Sequence, residues 1–474
     1  MMKKIPFLVL LLSFIPQLVS SQEIKIPLGT IVDSIPISDT IEEGFAIYLP
    51  RNFDEKKEWP VIFVFDPQGR GRAAAQLFRT VAERQSYIIV ASNMNLKEDS
   101  LKNNITKIGS LINQVDGMFT IDREQVYLAG LSEGGQLATA LPFIYNNISG
   151  VLAIEDAWLN TDYLNTNSKF MFSAVACDNK NTRQTLVEIE AYLNGEDFPT
   201  EINFYTCKGK VEWPVGDVIE NAVAGFTLLA IKEEKRPKDI DLIRKLYNAE
   251  VEHAQVLRRT RNYYQAFEKL KQIEDKYDDF GLEIDLGDEI KNIRRNKAFK
   301  QQRRDYRNAI AEENTRREDY IYYMDADVMI SNFENIGWWV SQVDELKERV
   351  EKSSGPKQNM ANRLLGFLDS LSKSYYDSYV NSQANARSKV FVSILRTIFD
   401  KNDPEAYLNI IKIAGHDGDH ETALLYLEDL LKTGFKDMQA LYDIEGILDL
   451  KLSKAYNEKI REYLGEAKYY NADS

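Results

Sequence analysis

Gly130-Leu131-Ser132-Glu133-Gly134 follows the pattern Gly-x-Ser-x-Gly. Glycines on both sides of a serine permit a sharp strand-to-helix turn that lifts the hydroxyl clear of its neighbours, where it can serve as a nucleophile. A serine hydroxyl is weak in that role unless a neighbouring base takes its proton. The chain holds three histidines, His253, His416 and His420. All three follow the last segment that reads as part of the same alternating fold, so a Ser-His-Asp arrangement within that fold is excluded.

The elements that must position Ser132 can be read on either side of it. Strand candidates run Ile24 to Val32, Phe45 to Leu49, Val61 to Phe65, Tyr87 to Ala91, Gln125 to Leu128, Gly150 to Ile154, Lys169 to Ala176 and Glu201 to Cys207. Several are unbroken β-branched and aromatic runs, the pattern of strands buried on both faces. Helical stretches fall between them at Ala73 to Arg84, Leu101 to Met118, Gly135 to Tyr145, Arg183 to Leu193 and Val215 to Ile231. Such alternation predicts an α/β fold, a mostly parallel sheet of about eight strands with helices on both faces. The serine then sits between the strand ending near Leu128 and the helix beginning near Gln136.

After Glu233-Glu234-Lys235-Arg236-Pro237 the strand signals nearly vanish and helical periodicity runs from Ile240 to Tyr470. Residues 22–233 are expected to form the α/β domain, 234–240 a linker, and 241–474 an all-helical domain. Tyr263 to Leu270 and Glu421 to Leu427 each place an alanine four residues before a larger apolar residue, as the second helix of a tetratricopeptide-type repeat does. The 34-residue period does not persist between them, and an ordinary helical bundle is the alternative. His416-Asp417-Gly418-Asp419-His420 has short His/Asp spacing that could ligate zinc. With Gly415 and Gly418 between two helical runs it reads instead as an inter-helix turn, and no metal or cofactor is expected.

The motif and its setting resemble the α/β-hydrolase superfamily, in particular exported bacterial esterase-like members, over roughly Gly44 to Lys232. The resemblance implies roles residue by residue. Phe65-Asp66-Pro67-Gln68-Gly69-Arg70-Gly71 follows the third strand, where such proteins build half an oxyanion hole, so the amides of Gln68 or Gly69 and of Glu133 would be the donors. Asp178, after a late strand, matches the place of the triad acid, though its neighbours also suit a plain turn. The histidine should follow the last strand. The loop of the relatives reads close to Gly-Gly-His-Glu-Trp-Pro, whereas this chain has Gly209-Lys210-Val211-Glu212-Trp213-Pro214, which puts Val211 at the histidine position.

Valine accepts no proton, and removing the base from a triad protease costs roughly 10⁶ in turnover, leaving about 10³–10⁴ over water. Lys210 could substitute if desolvation lowered its pKa by several units. His253 could fold back, or a partner could supply the base. Glu133, Glu155 and Asp156 fall at strand ends or turns near Ser132, with Trp158 and Trp213 in neighbouring loops. Ligands of open α/β sheets bind at that edge, and these walls would suit a cationic or sugar-like small molecule; an ester-like ligand is the alternative.

Lys3 and Lys4, the apolar run Ile5 to Val19 and the small residues Ser20-Ser21 have the order of a secretory signal, 1–21. The run is shorter than the roughly 20 residues that span a bilayer. An exported protein, periplasmic or extracellular, is expected, with no membrane span once the signal is removed. Loss of the two lysines would take the net charge of −14 two units further, and such a surface repels nucleic-acid phosphates. The two cysteines, Cys177 and Cys207, each end a strand-like run. If those strands are parallel neighbours, their Cα atoms could come within disulfide range, and an oxidising compartment would permit the bond; two buried thiols are the alternative.

Three functions remain open on the sequence. The favoured one is a catalytically impaired protein that binds a small molecule at the sheet edge. The others are an active serine ester hydrolase with an atypical base, and a helical scaffold that binds protein or peptide.

Overall fold

The computed structural model describes residues 26–164, 169–207, 212–283 and 285–469. The expected signal segment lies outside them. Eight strands form one sheet: β1 (Ile31–Ser38), β2 (Ile41–Tyr48), β3 (Trp59–Phe65), β4 (Ile88–Ser92), β5 (Ile121–Leu131), β6 (Gly150–Ile154), β7 (Met171–Cys177) and β8 (Thr200–Tyr205). Their order is β1-β2-β4-β3-β5-β6-β7-β8. The pairings β1–β2 and β2–β4 are antiparallel and all others parallel. This is the α/β-hydrolase fold.

Strands β3, β4, β6 and β7 are buried along their whole length, as continuous apolar runs must be when helices cover both faces. On one face pack α1 (Gly71–Leu77), α2 (Arg79–Gln85) and, later in the chain, the helix Gly216–Lys232; on the other pack α3 (Leu101–Met118), α4 (Glu133–Ala140) and α5 (Thr182–Gly195). Gly216–Lys232 is α6. The first strand departs from the sequence reading, which placed it at Ile24 to Val32. It begins at Ile31 and forms a hairpin with β2, its bulges falling around Ser34 and Pro36. Edge strands tolerate a proline because the missing N–H faces away from the ladder.

The helical half comprises α7 (Ile240–Arg259), α8 (Tyr263–Tyr277), α9 (Gly287–Arg295), α10 (Lys297–Ile330), α11 (Ile336–Lys352), α12 (Pro356–Val380), α13 (Ala386–Phe399), α14 (Pro404–His416), α15 (His420–Lys432), α16 (Met438–Asp443), α17 (Leu448–Lys451) and α18 (Lys454–Leu464). Ala266 and Ala423 are fully buried, each with its leucine four residues on. Their small side chains let α8 and α15 approach α7 and α14. Helix α10, at 34 residues, is as long as a whole tetratricopeptide repeat. The His416–His420 segment is the turn into α15: Gly418 has φ +79°, and Asp419 caps the helix by accepting from the Thr422 amide at 3.1 Å.

The two halves share a core, in which Ala224, Leu228 and Ile231 of α6 pack with Ile243, Leu246, Leu270 and Ile273. Glu250, fully buried, accepts from Lys269 at 2.5 Å and pairs with Lys276 at 2.8 Å, and Lys276 also pairs with Glu201 of β8 at 3.1 Å. Burial opposes ionisation of Glu250, but the two ammonium groups outweigh it and hold the carboxyl below its ordinary range. Arg236 of the connecting segment donates to the Gln85 carbonyl and lies over the Tyr87 ring. Among the described residues no helix is long and apolar enough to cross a membrane.

Candidate functional site

Ser132 follows β5 directly and precedes the first residue of α4, with φ +52° and ψ −118°. A non-glycine residue in such a conformation carries strain of about 1–3 kcal/mol. Two hydrogen bonds hold it there, from its amide to the Ile154 carbonyl at 2.8 Å and from the Gln136 amide to its carbonyl at 3.0 Å. The flanking glycines are a steric necessity. A Cβ on Gly130 would lie 2.0 Å from the Gly134 carbonyl oxygen, and one on Gly134 would lie 2.1 Å from that of Phe65. The hydroxyl, on a half-buried residue, stands at the carboxyl edge of the parallel strands.

Glu133 pairs with Lys97 at 2.9 Å. Burial pushes its carboxyl up, but hydrogen bonds from Lys97, its own amide and the Ser132 hydroxyl prevail and hold it low. The next strand over contributes Glu155, 2% exposed and also at positive φ, +67°. Its Oε1 accepts from the Cys177 amide at 2.8 Å, whereas Oε2 is buried without a hydrogen-bond partner among the described residues. Burial raises its pKa despite Tyr205 and the Cys177 amide. Burial likewise raises Asp156, whose carboxylate accepts from Gln136 at 2.7 Å and from the Ala157 amide at 2.8 Å. Strained backbone and desolvated acids at one sheet edge are the marks of a functional site.

The Gln68 and Gly69 amides find partners within their own turn. Gln68 donates its amide to Asp66 Oδ1 at 2.9 Å, and Gly69 to the Asp66 carbonyl at 3.1 Å. Both donors therefore close the turn after β3 onto Asp66, Gln68 through its carboxylate and Gly69 through its backbone carbonyl. The same carboxylate binds Arg70 and accepts from Trp213 Nε1 at 2.7 Å. Trp213 thus joins this turn, its ring edge-on to Phe78. Trp158 remains partly exposed, edge-on to Phe143.

Asp178 is 4% exposed and held from both halves of the molecule. Its Oδ1 accepts from Arg183 at 3.0 Å, and its Oδ2 from Tyr306 at 2.5 Å and Asn359 at 2.7 Å. Arg363 of α12 donates to its backbone carbonyl and clasps Glu313 of α10 at 2.6 Å. Tyr306, Asn359 and Arg363 carry no sequence signal that links them to β7. His253 lies on α7, where burial and then Lys269 depress its pKa; Glu250 and Asp217 are its other charged neighbours. Lys210 and Val211 lie outside the described residues.

β7 and β8 are parallel neighbours, with Cys177 in register with Tyr205. Cys177 and Cys207 form a disulfide, Cα to Cα 5.7 Å. Surface cavities of about 780 and 230 Å³ are lined by neither Ser132 nor Glu155, Asp156, Trp158 or Trp213.

No family model matches the chain, and no curated protein matches it. Among solved structures it is similar to a hyperthermophilic esterase from the archaeon Pyrobaculum calidifontis (13% identity, 43% of this chain and 87% of that one, TM-score 0.36). It is also similar to Est1E from Butyrivibrio proteoclasticus (14%, 43% and 98%, TM-score 0.33) and to the fluorophosphonate-binding serine hydrolase FphF of Staphylococcus aureus (12%, 42% and 99%, TM-score 0.35). At such identities and scores the likeness says nothing of residues or substrates, and the fold assignment rests on the strand order.

Proposed function

We propose that this is an exported, catalytically impaired α/β-hydrolase-type protein that recognises a small molecule at the Ser132 edge. The observation that carries the reading is the environment of Asp178. A triad acid must present a free carboxylate oxygen to orient an imidazole, whereas here both oxygens serve Arg183, Tyr306 and Asn359. Val211 at the histidine position and the engagement of the Gln68 and Gly69 amides by Asp66 point the same way. The backbone strain at Ser132 and Glu155 supports a binding role, since such strain clusters at functional sites. The disulfide suits an oxidising compartment and so an exported chain with residues 1–21 removed.

The test compares the wild type with Ser132→Ala for fluorophosphonate labelling and p-nitrophenyl ester turnover. Equal, feeble signals are expected. Strong labelling that vanishes in Ser132→Ala would establish an active esterase with an atypical base, and Lys210→Ala would then report whether Lys210 supplies it. N-terminal sequencing of the exported protein should begin near Gln22.

A further inference from the structure

The larger cavity, about 780 Å³, lies between the segment entering β1 and the run formed by α1 and α2. Its volume is that of small-molecule sites. Arg72, Gln76 and Arg79 line it at spacings of four and three residues, one face of a helix. The opposite face of the same run buries Ala74, Ala75 and Phe78, so the core fixes which side chains meet the cavity. Arg70 completes the cationic lining but is held by Asp66. Arg79 lies beside the Tyr48 hydroxyl, which donates to Glu83 at 2.5 Å. Arg72 makes no hydrogen bond or ion pair among the described residues. The one carboxylate in the lining, Asp33, already accepts from Asn93 at 2.9 Å and from the Ser34 amide at 2.7 Å.

Two guanidinium groups not paired with a carboxylate, those of Arg72 and Arg79, therefore line the cavity with one satisfied carboxylate, on a chain whose net charge is −14. Guanidinium groups offer planar, paired donors that match carboxylate and phosphate oxygens. Arg72 and Arg79 are seven residues apart, about 10 Å along a helix at 1.5 Å per residue. We infer that this cavity, whose lining does not include Ser132, is a second binding site for an elongated small molecule with an anionic group at each end, Arg72 receiving one and Arg79 the other.

Calorimetric titration of the full exported chain at constant ionic strength tests this with suberate, octanoate and inorganic phosphate as probes. Suberate should saturate a single site, and Arg72→Gln or Arg79→Gln should each weaken it by about tenfold, the change expected for about 1.4 kcal/mol. Octanoate and phosphate, with one anionic group each, should bind the wild type about tenfold more weakly than suberate. Ser132→Ala should bind suberate as the wild type does. Both arginines are exposed, so circular dichroism should show the variants folded. Absence of saturable suberate binding at about 10 mM, equal binding by the double variant, or phosphate binding as tightly as suberate would overturn the inference. Loss of suberate binding in Ser132→Ala would do so too.

Discussion

Asp178, just past the end of β7, accepts a 2.7 Å hydrogen bond from Asn359 of α12, 181 residues away in the chain. That bond, with those of Tyr306 and Arg363, ties the carboxyl edge of the sheet to the helical half. Asp178→Asn should behave as a structural change: urea unfolding should show a loss of about 1–3 kcal/mol, with no change in residual ester turnover. A folded variant of unchanged stability that lost turnover would return Asp178 to a catalytic role.

Arg363 tests the same junction from the other side. Arg363→Met leaves Glu313 and the Asp178 carbonyl short of a buried partner. Breaking one side of a buried ion pair typically costs about 3–5 kcal/mol. The midpoint of urea denaturation should fall accordingly, and a shift near zero would mean that water replaces the guanidinium without penalty.

The elbow makes opposite predictions for neighbouring residues. Ser132→Gly should stabilise the fold by about 1 kcal/mol, since relief of positive-φ strain exceeds the entropy glycine adds to the unfolded chain. Gly134→Ala should cost about 1–3 kcal/mol or more, because its Cβ meets the Phe65 carbonyl. Thermal melts of the two variants on one day's preparation would decide, and a destabilised Ser132→Gly would refute the strain.

Glu155 should make stability depend on pH. Burial raises its pKa in the folded state, so the native form binds this proton more tightly than the unfolded chain. This contribution to stability is full below the unfolded carboxyl value of about 4.3 and is lost as pH rises through the raised folded value. Glu155→Gln keeps the Cys177 contact without the charge. It should match the wild type at low pH and exceed it at neutral pH; melting temperatures that stay parallel across that range would contradict the assignment.

The disulfide encloses a separation of 30 residues, for which loop entropy predicts about 3–4 kcal/mol. Replacing both cysteines with alanine should lower stability by up to that amount, measured by urea unfolding. Equal stability would mean that the β7–β8 pairing alone orders the loop.

The fold was legible because its signals are local. Helix α3 was read at its observed bounds, Leu101–Met118, and the buried runs of β3, β6 and β7 carry their own apolar pattern. The first strand was misplaced because the exposed, bulged hairpin around Pro36 has no such pattern. The Ser132 elbow was legible for the same local reason, its glycines being forced by backbone contacts within a few residues. The fate of Asp178 was not. Beyond Arg183, its partners lie 128, 181 and 185 residues downstream, on helices whose polar positions look like any solvated face. Asp66 also escaped notice, since an acid after a buried strand reads as turn material until Trp213 is seen against it.

Arg236, laid over Tyr87 and bonded to Gln85, removes the play from the segment that joins the halves. With the Glu250 cluster on one flank and the Asp178 clasp on the other, the helical array buttresses the sheet. The outer surface of the helices is thereby held at one bearing to the serine-bearing edge.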